Sequence, residues 1–154
     1  MNLITDRTAA DVERYLTLRN KGFANLTAAE RTEWLSPMKG AYNFTDLNRV
    51  EEAVQYLAEK LRERGYRVDV STAKTWTMTS LPTLSDMNRY LNNIAVIRSA
   101  FATLSTTPQA PSSIRNFTYK EANAIEQILV DVDQLLTNMM SVWFFSGDLF
   151  SGEV

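Results

Sequence analysis

The side chains here whose pairing most readily gives acid–base chemistry are carboxylates. The 154 residues include no histidine and no cysteine. The commonest general base and metal ligand is therefore missing, and disulfides, thiolate metal sites and cysteine nucleophiles are excluded. Acid–base chemistry would fall to paired Asp and Glu. Glu51 and Glu52 are adjacent, so on a helix they point about 100° apart and do not converge. Asp131 and Asp133 flank Val132, which belongs to an apolar stripe, so both are expected to face outward. Glu126 and Asp133 lie seven apart and share a face, as many solvated pairs do. A glycosidase needs two carboxyls held across a cleft at a set separation, which spacing along one chain does not supply. The expectation is solvated helix faces and no catalytic residue.

Cofactor and metal signatures are equally sparse. Neither phosphate-cradling glycine pattern is present, and no serine has a histidine to activate it. Ser146-Gly147-Asp148 and Ser151-Gly152-Glu153 superficially suggest calcium loops, but the acidic spacing of an EF-hand is missing. They read as two turns that fold Phe145, Leu149 and Phe150 back onto the rest of the chain. No metal and no cofactor is expected.

Recognition is the chemistry that remains. Trp34, Tyr42 and Phe44 cluster around the connection Ser36-Pro37-Met38-Lys39-Gly40, and Trp76 lies further along. Aromatic side chains in a connection either pin it to a core or fill a partner's pocket. With Phe145 and Phe150 they form the candidate contact surface. A second set comes from an internal echo, Asp46-Leu47-Asn48-Arg49 and Asp86-Met87-Asn88-Arg89. Asn48, Arg49, Asn88 and Arg89 are candidates for polar contacts that fix helix register. Arg49 can also pair with Glu52, three residues on.

The elements that carry these residues announce themselves at their ends. Thr8-Ala9-Ala10-Asp11, Thr27-Ala28-Ala29-Glu30, Thr83-Leu84-Ser85-Asp86 and Thr118-Tyr119-Lys120-Glu121 all follow Thr-x-x-acid, the pattern of a capping box. Thr45-Asp46-Leu47-Asn48 is a variant. Gly22 and Gly65 each follow a basic run, the expected helix end, and Pro37 closes the second helix. These signals predict short helices over 9–21 and 28–35 and long ones over 46–64, 84–104 and 119–144. Apolar residues in steps of three and four support the long helices: Leu47, Val50, Val54, Leu57, Leu61; then Met87, Tyr90, Ile94, Ile97, Phe101, Leu104; then Ile125, Ile128, Val132, Leu135, Met139, Val142. The last helix has a second stripe, Leu129, Leu136 and Trp143, which places it at the centre of the core. Tyr66-Arg67-Val68-Asp69-Val70 and Thr75-Trp76-Thr77-Met78-Thr79 alternate with the period of a strand, and predict a small β-hairpin over about 66–79. Residues 105–116, with Pro108 and Pro111, read as an exposed loop. The expected fold is mainly α: one domain of five helices, an antiparallel bundle core of three long ones, and one small hairpin.

Composition is that of a globular protein, with 45% hydrophobic and 22% charged residues. A net charge of −2 and a pI near 5.2 give no reason to expect nucleic acid as a partner. No apolar run of about 18 residues is present and the N-terminus lacks a secretory pattern, so the expectation is a protein with no membrane partner, cytoplasmic at synthesis.

One resemblance bears on function. Residues Thr5 to Val12, Gly22-Phe23, Trp34-Leu35, Met38 to Asn43 and Thr45 to Glu51 resemble small uncharacterised proteins of Gram-positive phages and prophages, and parts of phage tail or baseplate appendages. The match is best over residues 5–62. It implies a virion-structural or assembly role without enzymatic activity, exercised through contacts with other particle components or with copies of itself. The alternatives are a carbohydrate-binding or cell-wall-directed tail accessory and a small regulatory protein.

Overall fold

Four threonines and one asparagine set the starts of five helices in the computed structural model, which describes residues 1–72, 75–100 and 102–148, the last seven by backbone alone. They are α1 (Ala9–Lys21), α2 (Ala28–Trp34), α3 (Phe44–Glu63), α4 (Leu84–Ser99) and α5 (Tyr119–Asp148), with a 3-10 turn at Phe23–Asn25. At Thr8, Thr27 and Thr83 the capping box closes in both directions, the threonine oxygen accepting from the third helical N–H while the acid takes the N–H of the cap. At α5 the N–H of Thr118 donates to Glu121 at 2.8 Å. Gly22 ends α1 with φ 76°, a left-handed angle that favours glycine.

Three helix bounds differ from the periodicity. The third helix begins at Phe44, because Asn43 caps it and Asp46 is the acid that completes the box. The fourth stops at Ser99, short of residue 104. Arg98 there donates to the carbonyls of Pro108 at 2.5 Å and Thr107 at 3.2 Å, tying the returning loop to the helix end. Leu104 is accordingly exposed. The fifth runs on to Asp148, so Ser146-Gly147-Asp148 is helical and not a turn. Gly147 falls in the last turn of this 30-residue helix, where the interior penalty for glycine does not apply in full.

The three long helices pack against one another in pairs, giving a bundle-like core. Val50, Val54, Leu57 and Leu61 of α3 meet Tyr90, Ile94 and Ile97 of α4 and both stripes of α5, with Ile125, Ile128, Leu129, Val132 and Leu136 all buried. Each such side chain contributes about 1.5–3 kcal/mol by leaving water.

The predicted hairpin does not form: among the described residues there is no strand. The alternation at 66–70 is real as burial, with Val68 buried and Arg67 and Asp69 exposed. The backbone of this connection, however, pairs with helix side chains instead of a second strand. Asn93 of α4 donates to the Ser71 carbonyl at 2.8 Å and accepts the Ser71 N–H at 3.2 Å. Asn48 of α3 does the same for Trp76, both bonds 2.8 Å, and Arg62 donates to the Val68 carbonyl at 2.9 Å. A carboxamide presents the same donor and acceptor pair as a neighbouring peptide, so it replaces a partner strand. No helix of the described residues is long and apolar enough to cross a membrane.

Candidate contact surface

Four of the aromatic residues singled out in sequence come from two helices and two connections and reach one groove. Trp34 is the last residue of α2, Tyr42 belongs to the connection to α3, Phe44 opens α3, and Trp76 is held against α3 by Asn48. All four line a groove of about 410 Å³, together with Tyr15, Met38, Leu47, Met78 and Pro82. The polar lining is Ser36, Asn43, Thr77 and Ser80; no lining residue carries a formal charge. Of the lining Met78 is 84% exposed, and outside it Leu81 is 88% and Leu84 at the start of α4 66% exposed. Leu81 sits in the chain between Ser80 and Pro82, both lining residues.

The groove's aromatics differ in how far they are already engaged. Trp34 stacks on Tyr15, the ring centres 5.5 Å apart and nearly parallel. Tyr42 meets Phe117 edge-on at 5.0 Å and the Arg7 guanidinium over its ring at 5.3 Å. Its hydroxyl bonds to that of Tyr90 at 2.5 Å. Burial pushes the Tyr42 hydroxyl far above the usual tyrosine range, only partly opposed by that bond, and burial does the same at Tyr90. Trp76 is buried, and its indole N–H donates to Glu51 at 3.1 Å. Phe145 and Phe150, also expected on this surface, lie outside the residues described with side chains.

Below Tyr42 is a buried charge cluster that spacing did not reveal. Arg7, Asp46 and Glu126 are all at least 96% buried, and Glu126 is fully so. Arg7 bonds Asp46 at 2.9 Å and Glu126 at 2.6 Å; Arg49 bonds Asp46 at 2.5 Å and Glu126 at 2.8 Å. Two positive and two negative charges cancel. Burial works against the charge of Arg49, yet its bonds to Glu126 and Asp46 prevail and raise its pKa. Glu126 therefore does not share a solvated face with Asp133, and Arg49 pairs with Asp46 and Glu126, not with Glu52. Nor is Glu51 solvated: it is buried, and Arg89 of α4 donates to it at 2.6 Å. Asn88 is exposed. The two echoed segments thus share their first, second and fourth positions in role: a capping acid, a core side chain, and an arginine reaching a carboxylate on another helix.

Sequence reading missed Arg7, Asn93 and Asn123. A signal existed for the asparagines. Asn is a poor helix former, and one inside an apolar stripe implies a bond worth its place. Nothing local marked Arg7, whose partners lie 39 and 119 residues away.

The buried carboxylates are neutralised by arginines, and none lines the groove. Among the described residues no three Asp or Glu side chains group in a way that can hold a metal ion. No protein-family model, no curated protein and no solved structure matches this chain.

Proposed function

We propose that this chain is a non-enzymatic binding or assembly module whose groove takes an uncharged, apolar segment of another protein. The observation that carries this reading is the convergence of Trp34, Tyr42, Phe44 and Trp76 on one groove, with Met78 exposed in its lining and Leu81 and Leu84 exposed outside it. Leaving each large apolar side chain in water forgoes about 1.5–3 kcal/mol, which a partner recovers on covering it. The absence of charge from the lining selects an occupant that brings none, since a buried unpaired charge is costly. The resemblance to Gram-positive phage and prophage proteins supports a partner from a phage particle, and an assembly role.

The lining hydroxyls and the Asn43 amide favour a second reading, a sugar-binding tail accessory. Stacking a sugar needs an open ring face. Trp76 is buried, Tyr42 has Arg7 over its ring, and Trp34 has one face on Tyr15, so the protein reading is the better supported.

Pairwise binding assays against the products of neighbouring genes, with light scattering for self-association, test the proposal. A specific complex is expected that Met78→Asp or Trp34→Ala weakens at least about tenfold, the effect of losing a contact worth about 1.4 kcal/mol. A complex indifferent to both substitutions would sink the protein reading. Saturable quenching of tryptophan fluorescence by cell-wall glycans would replace it with the second one.

A further inference from the structure

The N-terminal arm, residues 3–8, is fastened at one side to the bundle and at the other to the wall of the groove. On the bundle side Asn123 of α5 accepts the Arg7 N–H at 3.0 Å and donates to the Arg7 carbonyl at 2.8 Å, the carboxamide clamp already seen at Ser71 and Trp76. The Ile4 N–H donates to Glu126 at 2.6 Å, and the Arg7 side chain enters the buried charge cluster.

On the groove side two contacts from the arm, and a third from α1 into which it leads, reach the connection between α2 and α3. Asp6 pairs with Lys39 at 2.7 Å. The Arg7 guanidinium lies over the Tyr42 ring. At Gly40 a β-carbon would stand 2.0 Å from the Asp11 carbonyl oxygen and 2.9 Å from the Val12 nitrogen, so the connection's backbone rests directly on the first turn of α1. That same connection supplies Met38, Ala41 and Tyr42 to the groove. Arg7, Lys39, Gly40 and Tyr42 also border a hollow of about 420 Å³ that the start of α5 closes.

We propose that the arm is a latch for the groove: its docking on α3 and α5 holds the wall formed by residues 38–42, so that releasing the arm loosens the groove and occupying the groove holds the arm. The coupling is reciprocal by thermodynamic necessity. It does not depend on what the groove binds, and the unliganded chain tests it.

Hydrogen exchange followed by NMR reads both ends. The Arg7 amide, bonded to Asn123, reports the arm; the Ala41 amide, bonded to the Met38 carbonyl at 3.1 Å, reports the wall. Asn123→Ala removes the clamp from a helix that contributes no residue to the groove. It is expected to speed exchange at both Arg7 and Ala41 by about tenfold or more, with core amides of α3 and α4 at their wild-type rates. Gly40→Ala is the converse: its new methyl pushes the wall off α1, and faster exchange at Ile4 and Arg7 is expected. Gly40 lies outside the buried core, so this variant keeps the test alive if Asn123→Ala fails to fold. Arm amides that quicken in Asn123→Ala while Ala41 keeps its rate, or an Arg7 amide unmoved by Gly40→Ala, would overturn the latch.

Discussion

Two arginine side chains and one backbone N–H converge on the Glu126 carboxylate, fully buried between the arm, α3 and α5. Ion pairs so placed add little over a well-packed apolar core, because desolvation offsets attraction, but removing one member leaves its partners buried and unpaired. Glu126→Ala is thus expected to cost about 3–5 kcal/mol, read as a lowered urea midpoint. The tyrosine pair gives a second expectation at this scale. Tyr42 and Tyr90 have folded-state pKa values above their unfolded ones, raised by burial. Their contribution to stability is whole below about pH 10 and is lost as pH rises beyond it. Phenolate absorbance from these two should emerge together with loss of structure in an alkaline titration; early, reversible ionisation of both in a folded chain would contradict the geometry. None of this was legible locally. Glu126 is spaced like a surface residue, and only the distant Arg7 and Arg49 make its burial tolerable.

Helices were the most legible elements, because a cap and its acid lie three residues apart and act without tertiary help. At Glu30 a contact from the preceding helix adds to the cap. The Lys21 ammonium, with the N–H of Thr27, lowers its pKa to about 2. Its folded value is below its unfolded one, so the stabilisation is present above about pH 4.5 and is lost as pH falls through 2. Loss of protection in α2 on acidification across that window, with Glu30→Gln flattening the response, is the expected result. The connection from 66 to 77 was half legible. Its alternation truly separates buried from exposed side chains, but period cannot say whether a strand or a helix carboxamide completes the backbone. Asn93→Ala removes that completion and is expected to cost about 1–3 kcal/mol, against under about 0.5 kcal/mol for the exposed Asn88→Ala, by thermal melts of the two variants.

Across the whole molecule stability and contact reside in different places. Ile128 is fully buried among the three long helices, whereas Met78 is 84% exposed in the groove lining. Ile128→Ala should destabilise by about 2–5 kcal/mol, and Met78→Ser by less than about 0.5 kcal/mol while weakening partner binding. Equal effects of the two on chemical denaturation would mean that Met78 belongs to the core.

By itself the sequence determined four of the five helix starts, most of the apolar stripes that the long helices bury, and that histidine and cysteine chemistry is closed to this chain. Those properties depend on composition or on neighbours three or four residues apart. Tertiary structure alone decided that Trp34, Tyr42, Phe44 and Trp76 share one groove, that Arg7 is the counter-charge of Glu126, and that asparagines stand in for a missing strand. Each of those joins residues far apart along the chain, and many pairings at that range satisfy the same local patterns. Packing selects among them, because a buried charge or peptide group is stable only where its partner also arrives.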